Sequence, residues 1–401
     1  MLAVKSIWQN YSCPEGVPEL LDVFRKMVNR SIQTGLTNDA SSLKRLCLLS
    51  YRELREYQCP SYYKLCAISR AAGILTARKK SLKRGYHSKT PYAVKPHLSC
   101  CYGFKIEGNL LRIPRGGRTY WNIRLNRHTL SALAEPGLRV RSFTLTAHIV
   151  SLCISKEISE REFKDMAGID RNLRNLTCGN ETGIARYDLS RTVEIASTTR
   201  NIIASFKRTD DRIRRSIASK YGRRRKQRTV QILHQVTKQA VSQAVRNKNA
   251  IVLEDIRSIG GLYRKGNGQG NRLRGVMKGW PYGQVQRQLE YKARWAGLPI
   301  IHLSWRDTRG SSVTCPRCGE RLQSDNRLWR KLWCGNCRII MDRDVVAAVN
   351  LARRGRVRFA RSRPPILLEA QGGAVEAVKG NPTTTVIPGV DAPKLTYPTT
   401  S

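Results

Sequence analysis

Thr314-Cys-Pro-Arg-Cys-Gly-Glu320, continued by Leu332-Trp-Cys-Gly-Asn-Cys-Arg-Ile-Ile-Met-Asp-Arg-Asp344, decides how this chain is read. Two Cys-x-x-Cys pairs, Cys315/Cys318 and Cys334/Cys337, stand 15 residues apart. Each has a glycine inside it or just after it, where a tight backbone turn lets two sulfurs face one centre. Four thiolates so spaced suit one tetrahedral Zn²⁺ of structural type, and two knuckles on a short strand-rich link make a zinc ribbon. Disulfides or a redox pair are the competing reading of a single Cys-x-x-Cys, and the doubled spacing favours metal. Immediately downstream, Asp342 and Asp344 open an apolar helical stretch, Val345–Ala352. A metal knuckle that fixes a carboxylate at a helix start suggests an active site beside the ribbon.

The 401 residues leave room for several domains. They carry 73 Lys and Arg against 29 Asp and Glu, a net charge of +44. Such a charge repels itself in a compact chain, and a polyanion is its simplest compensation, so nucleic acid is the expected partner. Nothing reads as an amphipathic anchor, an acylation motif, a secretory leader or a bilayer-spanning run, and no membrane partner is expected. The eight cysteines outside the ribbon are scattered and read as reduced thiols of an intracellular, cytoplasmic and nucleoid-associated protein.

Outward from the ribbon, hydrophobic period sets the elements. Residues 4–10 read as a strand, followed by helices over Pro18–Gly35, Ser41–Tyr57 and Ser61–Tyr86. Alternating strands follow at Cys100–Ile106, Leu110–Ile113, Tyr120–Leu125 and Ser142–Ile154. Phe163–Ile169 predicts a strand that ends at Asp170, with two more at Gly183–Leu189 and Arg191–Ile195. A long helical region, Thr198–Asn247, is expected to break near Tyr221-Gly222. Its stretch Lys207–Arg228 holds 11 Lys and Arg in 22 residues, including Arg214, Arg215, Arg223, Arg224, Arg225 and Lys226. That density exceeds what solvating a helix face requires and points to nucleic-acid backbone contact. Ala250–Leu253 reads as a buried strand ending at Glu254-Asp255, and Gly260–Gly275 as a flexible basic loop. A helix at Tyr282–Ala296 and a strand at Pro299–Ser304 lead into the ribbon. Arg353, Arg354, Arg356, Arg358, Arg361 and Arg363 read as a basic exit before a tail, 364–401, expected to be disordered.

Asp170, Glu254 and Asp344 thus stand at the ends of regular elements. Carboxylates gathered from distant positions can hold two Mg²⁺ roughly 4 Å apart, one activating water and one stabilising a leaving oxygen of a phosphodiester. By this reasoning alone Asp255 competes with Glu254 for the second position, and Asp342 with Asp344 for the third. Five motifs then occur in a recognisable order: Gly168-Ile-Asp170-Arg-Asn, Val252-Leu-Glu254-Asp, Gln288-Leu-Glu-Tyr-Lys-Ala293, Ser311-Ser-x-x-Cys-Pro-x-Cys-Gly319 and Asp342-Arg-Asp344-x-x-Ala-Ala-x-Asn350. In these the chain resembles the TnpB (OrfB-type) family of insertion sequences, related to the ancestors of type V CRISPR effectors, over about residues 165–355. It departs from the family at Val346, where Asn is common, and at Ser311-Ser312, where Thr-Ser is usual.

The resemblance implies an α/β chain with a RuvC-like, RNase H-type nuclease core and an inserted zinc ribbon. A wedge-like β-barrel at 1–160, with a helical recognition insertion at about 15–90, is expected to precede the core. The implied boundaries are 161–312 for the core with its basic helices, 313–340 for the ribbon, and 341–363 for the last core segment. It implies that Asp170, Glu254 and Asp344 are the catalytic, Mg²⁺-holding acids and that the Gly-rich loop falls where related nucleases have a lid. Its partners would be a guide RNA and double-stranded target DNA cut beside a short flanking motif. A guide-dependent DNA binder with a drifted site and a strand-transferring transposase or its accessory are the alternatives; no nucleophilic Tyr motif supports the latter.

Overall fold

The structure, a computed structural model, describes residues 1–362 apart from 207–210, 257, 258, 260–262, 264, 265, 267, 269 and 325–329. Expectations for Lys207, Gly260, Gly261, Arg264, Lys265, Arg363 and the tail lie outside the described residues. The chain divides into Met1–Ala360 and Arg361–Ser401, the second described only at Arg361 and Ser362. No helix among the described residues is long and apolar enough to cross a membrane.

Strand β1 (Leu2–Asn10) alternates, with Ala3, Ile7 and Gln9 turned inward. It pairs antiparallel along its whole length with β7 (Ile149–Glu157). Helices α1 (Val17–Thr37), α2 (Leu43–Ser50) and α3 (Ser61–Lys83) lie between them in sequence. The helical stripe Leu21, Phe24, Met27 and Val28 shares one core with Ile68 and Leu75 of α3 and with Leu98, Phe143, Leu152 and Ile154 of the strands. The helical insertion therefore has no separate core.

The remaining strands of this region are β2 (Leu98–Cys100), β3 (Lys105–Glu107), β4 (Leu110–Gly116), β5 (Thr119–Arg124) and β6 (Leu138–Leu145). They form a four-stranded sheet, β1-β7-β6-β2, and a three-stranded one, β3-β4-β5. Strand pairing closes no barrel among the described residues.

Several local expectations need correcting. The helix expected over Ser41–Tyr57 stops at Ser50 and continues as a short 3₁₀ turn, Glu53–Glu56. The single strand expected over Ser142–Ile154 is a hairpin, because Thr146 Oγ1 accepts the Ile149 N–H at 3.0 Å and turns the chain. The strand expected over Cys100–Ile106 breaks at Gly103, whose φ of 71° ordinary side chains rarely adopt. Helix α4 (Arg127–Leu133) gave no periodic signal; it is marked by its cap, Asn126 Oδ1, which accepts the Thr129 N–H at 2.8 Å.

The second half is built on β8 (Asp165–Arg171), β9 (Asn175–Gly179), β10 (Ile184–Asp188), β11 (Asn249–Glu254) and β12 (Ile300–Leu303), in the order β10-β9-β8-β11-β12. The first three are antiparallel neighbours, and β8, β11 and β12 run parallel. Residues 191–195, expected as a strand, belong to α5 (Ser190–Ser205); the unforeseen strand is β9. Helix α6 (Asp211–Arg246) runs unbroken through Gly222; the helical region is instead interrupted at Phe206, which is extended after α5 ends at Ser205. The end of the Gly-rich stretch is helical, as α7 (Asn271–Lys278), and α8 (Tyr282–Trp295) follows. The ribbon strands β13 (Gln323–Ser324), β14 (Lys331–Cys334) and β15 (Ile339–Asp342) lead into α9 (Arg343–Ser362).

Asn249 to Leu253 are all buried, as a strand covered on both faces requires. Ile251 and Leu253 pack with Leu233, Val241 and Leu289 of α6 and α8, whereas Ala250 and Val252 pack with Leu351 of α9. Helix α9 comes close because Gly168 and Gly355 carry no side chain. A Cβ on Gly168 would stand 2.0 Å from the Ala348 carbonyl oxygen, and one on Gly355 would stand 2.5 Å from Val252 Cγ2. Arginines read as an exit also fasten this helix. Arg353 and Arg356 pair with Glu181, Arg356 also with Asp165, and Arg358 with Asp307, while Arg354 donates to the Asp307 and Arg309 carbonyls.

Gly168→Ala must push α9 off the sheet and should cost about 1–3 kcal/mol, as overpacking does. Gly73→Ala, in the exposed interior of α3 with nothing within 4 Å, should instead stabilise by about 0.5–1 kcal/mol. Urea unfolding of the two variants against wild type checks both signs.

Candidate active site

Strand alternation sends Asp170 to the same face of β8 as Gly168, the face that α9 covers. Glu254 ends β11 on the Val252 side, which is also the α9 side. Asp344 lies in the first turn of α9 and is 2% exposed. The structure thus brings Asp170 near enough to both Glu254 and Asp344 for their charges to act on it. Burial is the main cause of the Asp170 carboxyl being pushed up to about 7, and the charges of Glu254 and Asp344 add to it, against the Asn172 hydrogen bond. Burial also raises Glu254, with Arg171 pulling the other way.

Short polar contacts hold the acids in place. Asn172 Nδ2 donates to Asp170 Oδ2 at 2.6 Å, and Asn175 Nδ2 donates to Asp344 Oδ2 at 3.1 Å. Both asparagines belong to the β8–β9 turn, closed by Asn172 N–H to the Asn175 carbonyl at 3.0 Å. Arg330, from the ribbon, pairs with Asp344 Oδ1, and its carbonyl accepts the Arg343 N–H at 2.9 Å. Asn172 was visible as part of a motif. Asn175, Arg186 and Arg330 had no signal, since each acts through a turn or a tertiary contact.

Asp342 and Asp344 have different surroundings. Asp342 Oδ1 accepts the backbone N–H of Asp344 at 2.9 Å and pairs with Arg186 at 2.7 Å, so it is the cap of α9. Its burial, which would raise the carboxyl, is outweighed by Arg186 and by those N–H groups, and the net shift is downward. Asp344 is the one that faces Asp170. Val346 is fully buried with Cys315, Leu322, Leu332 and Cys334, so its side chain joins ribbon to helix.

In the ribbon, the Sγ atoms of Cys315, Cys318, Cys334 and Cys337 all lie within 4.8 Å of one another. Cys315–Cys337 is 3.9 Å and Cys318–Cys334 is 3.5 Å. Tetrahedral sulfurs at about 2.3 Å from Zn²⁺ would be about 3.8 Å apart, so the donor set fits a metal of that kind. None of the twelve cysteines is in a disulfide. The turn after Cys318 uses Gly319 at φ 81°, as the sequence suggested, but the second knuckle turns at Arg338 (φ 53°) instead of at Gly335.

The basic helix is less uniform than its composition. On α6, Arg223, Arg224 and Lys226 are exposed, and Arg215, also exposed, pairs with Asp211 at 3.2 Å. Arg214 is half-buried. Arg225 turns inward and donates to the Gly279 carbonyl at 3.3 Å, tying α6 to the end of α7.

A family model described as "Cas12f1-like, TNB domain" matches residues 282–351, from α8 through the ribbon into α9. The cryo-EM structure of a Cas12f1–sgRNA–target DNA complex has the same fold, with a TM-score of 0.63 at 14% identity, covering 84% of this chain and 83% of that one. The fold is therefore that of the Cas12f1 class. A TnpB-like protein of Methanocaldococcus jannaschii is 26% identical over 265 residues, 63% of this chain and 92% of the relative. Together with the five ordered motifs, these matches make the chain similar to TnpB-like proteins.

A raised carboxyl sets the sign of a pH effect. With a folded value of about 7 against an ordinary 3.8, protonated Asp170 is the form the fold favours. Its contribution to stability is present at low pH and is lost as pH rises through the window from about 4 to 7. In chelator, Asp170→Asn should match wild type near pH 4 and exceed it increasingly toward pH 8, as followed by thermal unfolding.

Proposed function

We propose that this protein is a metal-dependent, RNA-guided DNA endonuclease encoded by a transposon. Its core would be a RuvC-like, RNase H-type domain, spanning about 161–312 and 341–363. The observation that carries the reading is the convergence of Asp170, Glu254 and Asp344, from three distant parts of the chain, at one edge of a mixed sheet. Acids so crowded repel one another, and this donor set suits hard divalent cations such as Mg²⁺. Two such ions, when bound, would supply water activation and stabilisation of the leaving oxygen. The chain's own part is to hold the carboxylates: Asn172 orients Asp170, and Asn175 and Arg330 orient Asp344. The ribbon, about 313–340, would hold one structural Zn²⁺ and thereby position the start of α9.

The similarity to a TnpB-like protein and the guide RNA and target DNA in the Cas12f1 complex support the same partners here. Guide pairing would read sequence while the protein reads duplex shape and a short flanking motif. The wedge role falls to residues 1–160, and Arg223, Arg224 and Lys226 are the best-placed phosphate contacts of α6. Arg225 has a structural partner instead.

Asp170→Ala, Glu254→Ala and Asp344→Ala should each abolish Mg²⁺-dependent cleavage of target DNA by the guide-loaded protein while leaving guide-directed binding largely intact. Asp255→Ala and Asp342→Ala should retain more activity. If wild type binds guide and target but never cuts with Mg²⁺ or Mn²⁺, the protein is a binder and the nuclease assignment fails.

Replacing Arg223, Arg224 and Lys226 by Gln should weaken nucleic-acid binding evenly across sequences. It should flatten the plot of log affinity against log salt by up to about three counterions. Arg225→Gln should lower thermal stability with little change in that slope.

A further inference from the structure

Arg171 is a buried guanidinium next to a candidate metal ligand, and nothing in the proposed chemistry uses it. It is 3% exposed, and burying an arginine is costly unless its partners are fixed. Alternation turns it away from Asp170, to the face of the sheet that α6 and α8 cover. From there its Nη1 donates to Gln286 Oε1 of α8 at 2.9 Å, and its Nη2 donates to the backbone carbonyl of Glu254. Gln286 is held in turn, since its Nε2 donates to Glu290 Oε1 at 2.8 Å. Glu290 lies 3.6 Å from His302 of β12.

The register shows what the contact does. Backbone pairing of β8 with β11 ends at Ile169↔Leu253, one residue short of the two acids. Past that point the Arg171 side chain takes over from the ladder and ties the end of β11 to the end of β8. The separation of Asp170 from Glu254 is thus set from behind the sheet, by a chain of contacts through α8.

We propose that Arg171 is a positioning residue that presets the Asp170–Glu254 spacing for a divalent cation, with Gln286 holding its fork. This rests on reading the acids as a metal site. Charge and geometry predict opposite signs. Removing a nearby positive charge should tighten cation binding, whereas loosening an orienting partner of a ligand weakens metal affinity, typically 10–100-fold.

The test is Mn²⁺ binding to the full-length protein without nucleic acid, read by calorimetry, for wild type, Arg171→Met, Arg171→Lys and Gln286→Leu. Arg171→Met and Gln286→Leu should bind Mn²⁺ at least about tenfold more weakly. Arg171→Lys, which keeps the charge but not the fork, should fall between. The half-saturating metal for cleavage should rise by the same factor, and the rate at saturating metal should recover. A merely structural role would lower thermal stability without moving the metal affinity. Should Arg171→Met not fold, Gln286→Leu, which leaves the guanidinium in place, carries the comparison. Unchanged or tighter Mn²⁺ binding in the folded variants, beside a wild type that binds and cuts, overturns the positioning role alone. A wild type that neither binds Mn²⁺ nor cuts overturns the metal-site reading and this role with it.

Discussion

Everything in the second half of this protein depends on how closely α9 lies against β8. Gly168 lets the strand backbone meet the α9 backbone, and Gly355, farther along, lets the helix rest on the side chains of Val252 and Met166. That approach lowers Asp344 into the neighbourhood of Asp170 and Glu254, and the arginine pairs along α9 keep it there. Several of those pairs sit at the surface and contribute little individually. The steric fit is the stricter condition, because packed interiors do not yield by ångströms.

Around the acids the protein has placed orienting groups of both kinds. Amides from one short turn hold two of the carboxylates, and guanidiniums from three different elements approach them. Arg186 and Arg330 meet the α9 side, and Arg171 lies behind the sheet. Burial raises Asp170 and Glu254, while Arg186 and the first N–H groups of α9 bring Asp342 down. Neighbouring acids thus have separate tasks, one set by desolvation and the other by a guanidinium and helix-end N–H groups.

Much of this could be read from the chain before any coordinates. The ribbon cysteines, the buried run ending at Glu254 and the helix after Asp344 were legible because each is local: a spacing, a run or a period. The misreadings share a different origin. Residues 191–195 are rich in β-branched side chains yet form the start of α5, where packing overrides propensity. Gly222 did not break α6, and β9 was invisible because its Asn-rich turn carries no glycine. Arg330 and Asn175 could not have been found, since both reach Asp344 across the fold. The charge of α6 was evident, but not that Arg225 faces inward.

The ribbon and α9 share a core through Val346, and α9 begins directly at the ribbon's last strand. This order has a consequence for synthesis. A ribosome releases Asp170 and Glu254 long before Asp344, whose helix follows the ribbon directly. The carboxylate cluster therefore cannot be completed until the ribbon and α9 have emerged, and until then a nascent chain carries its first two acids without the third.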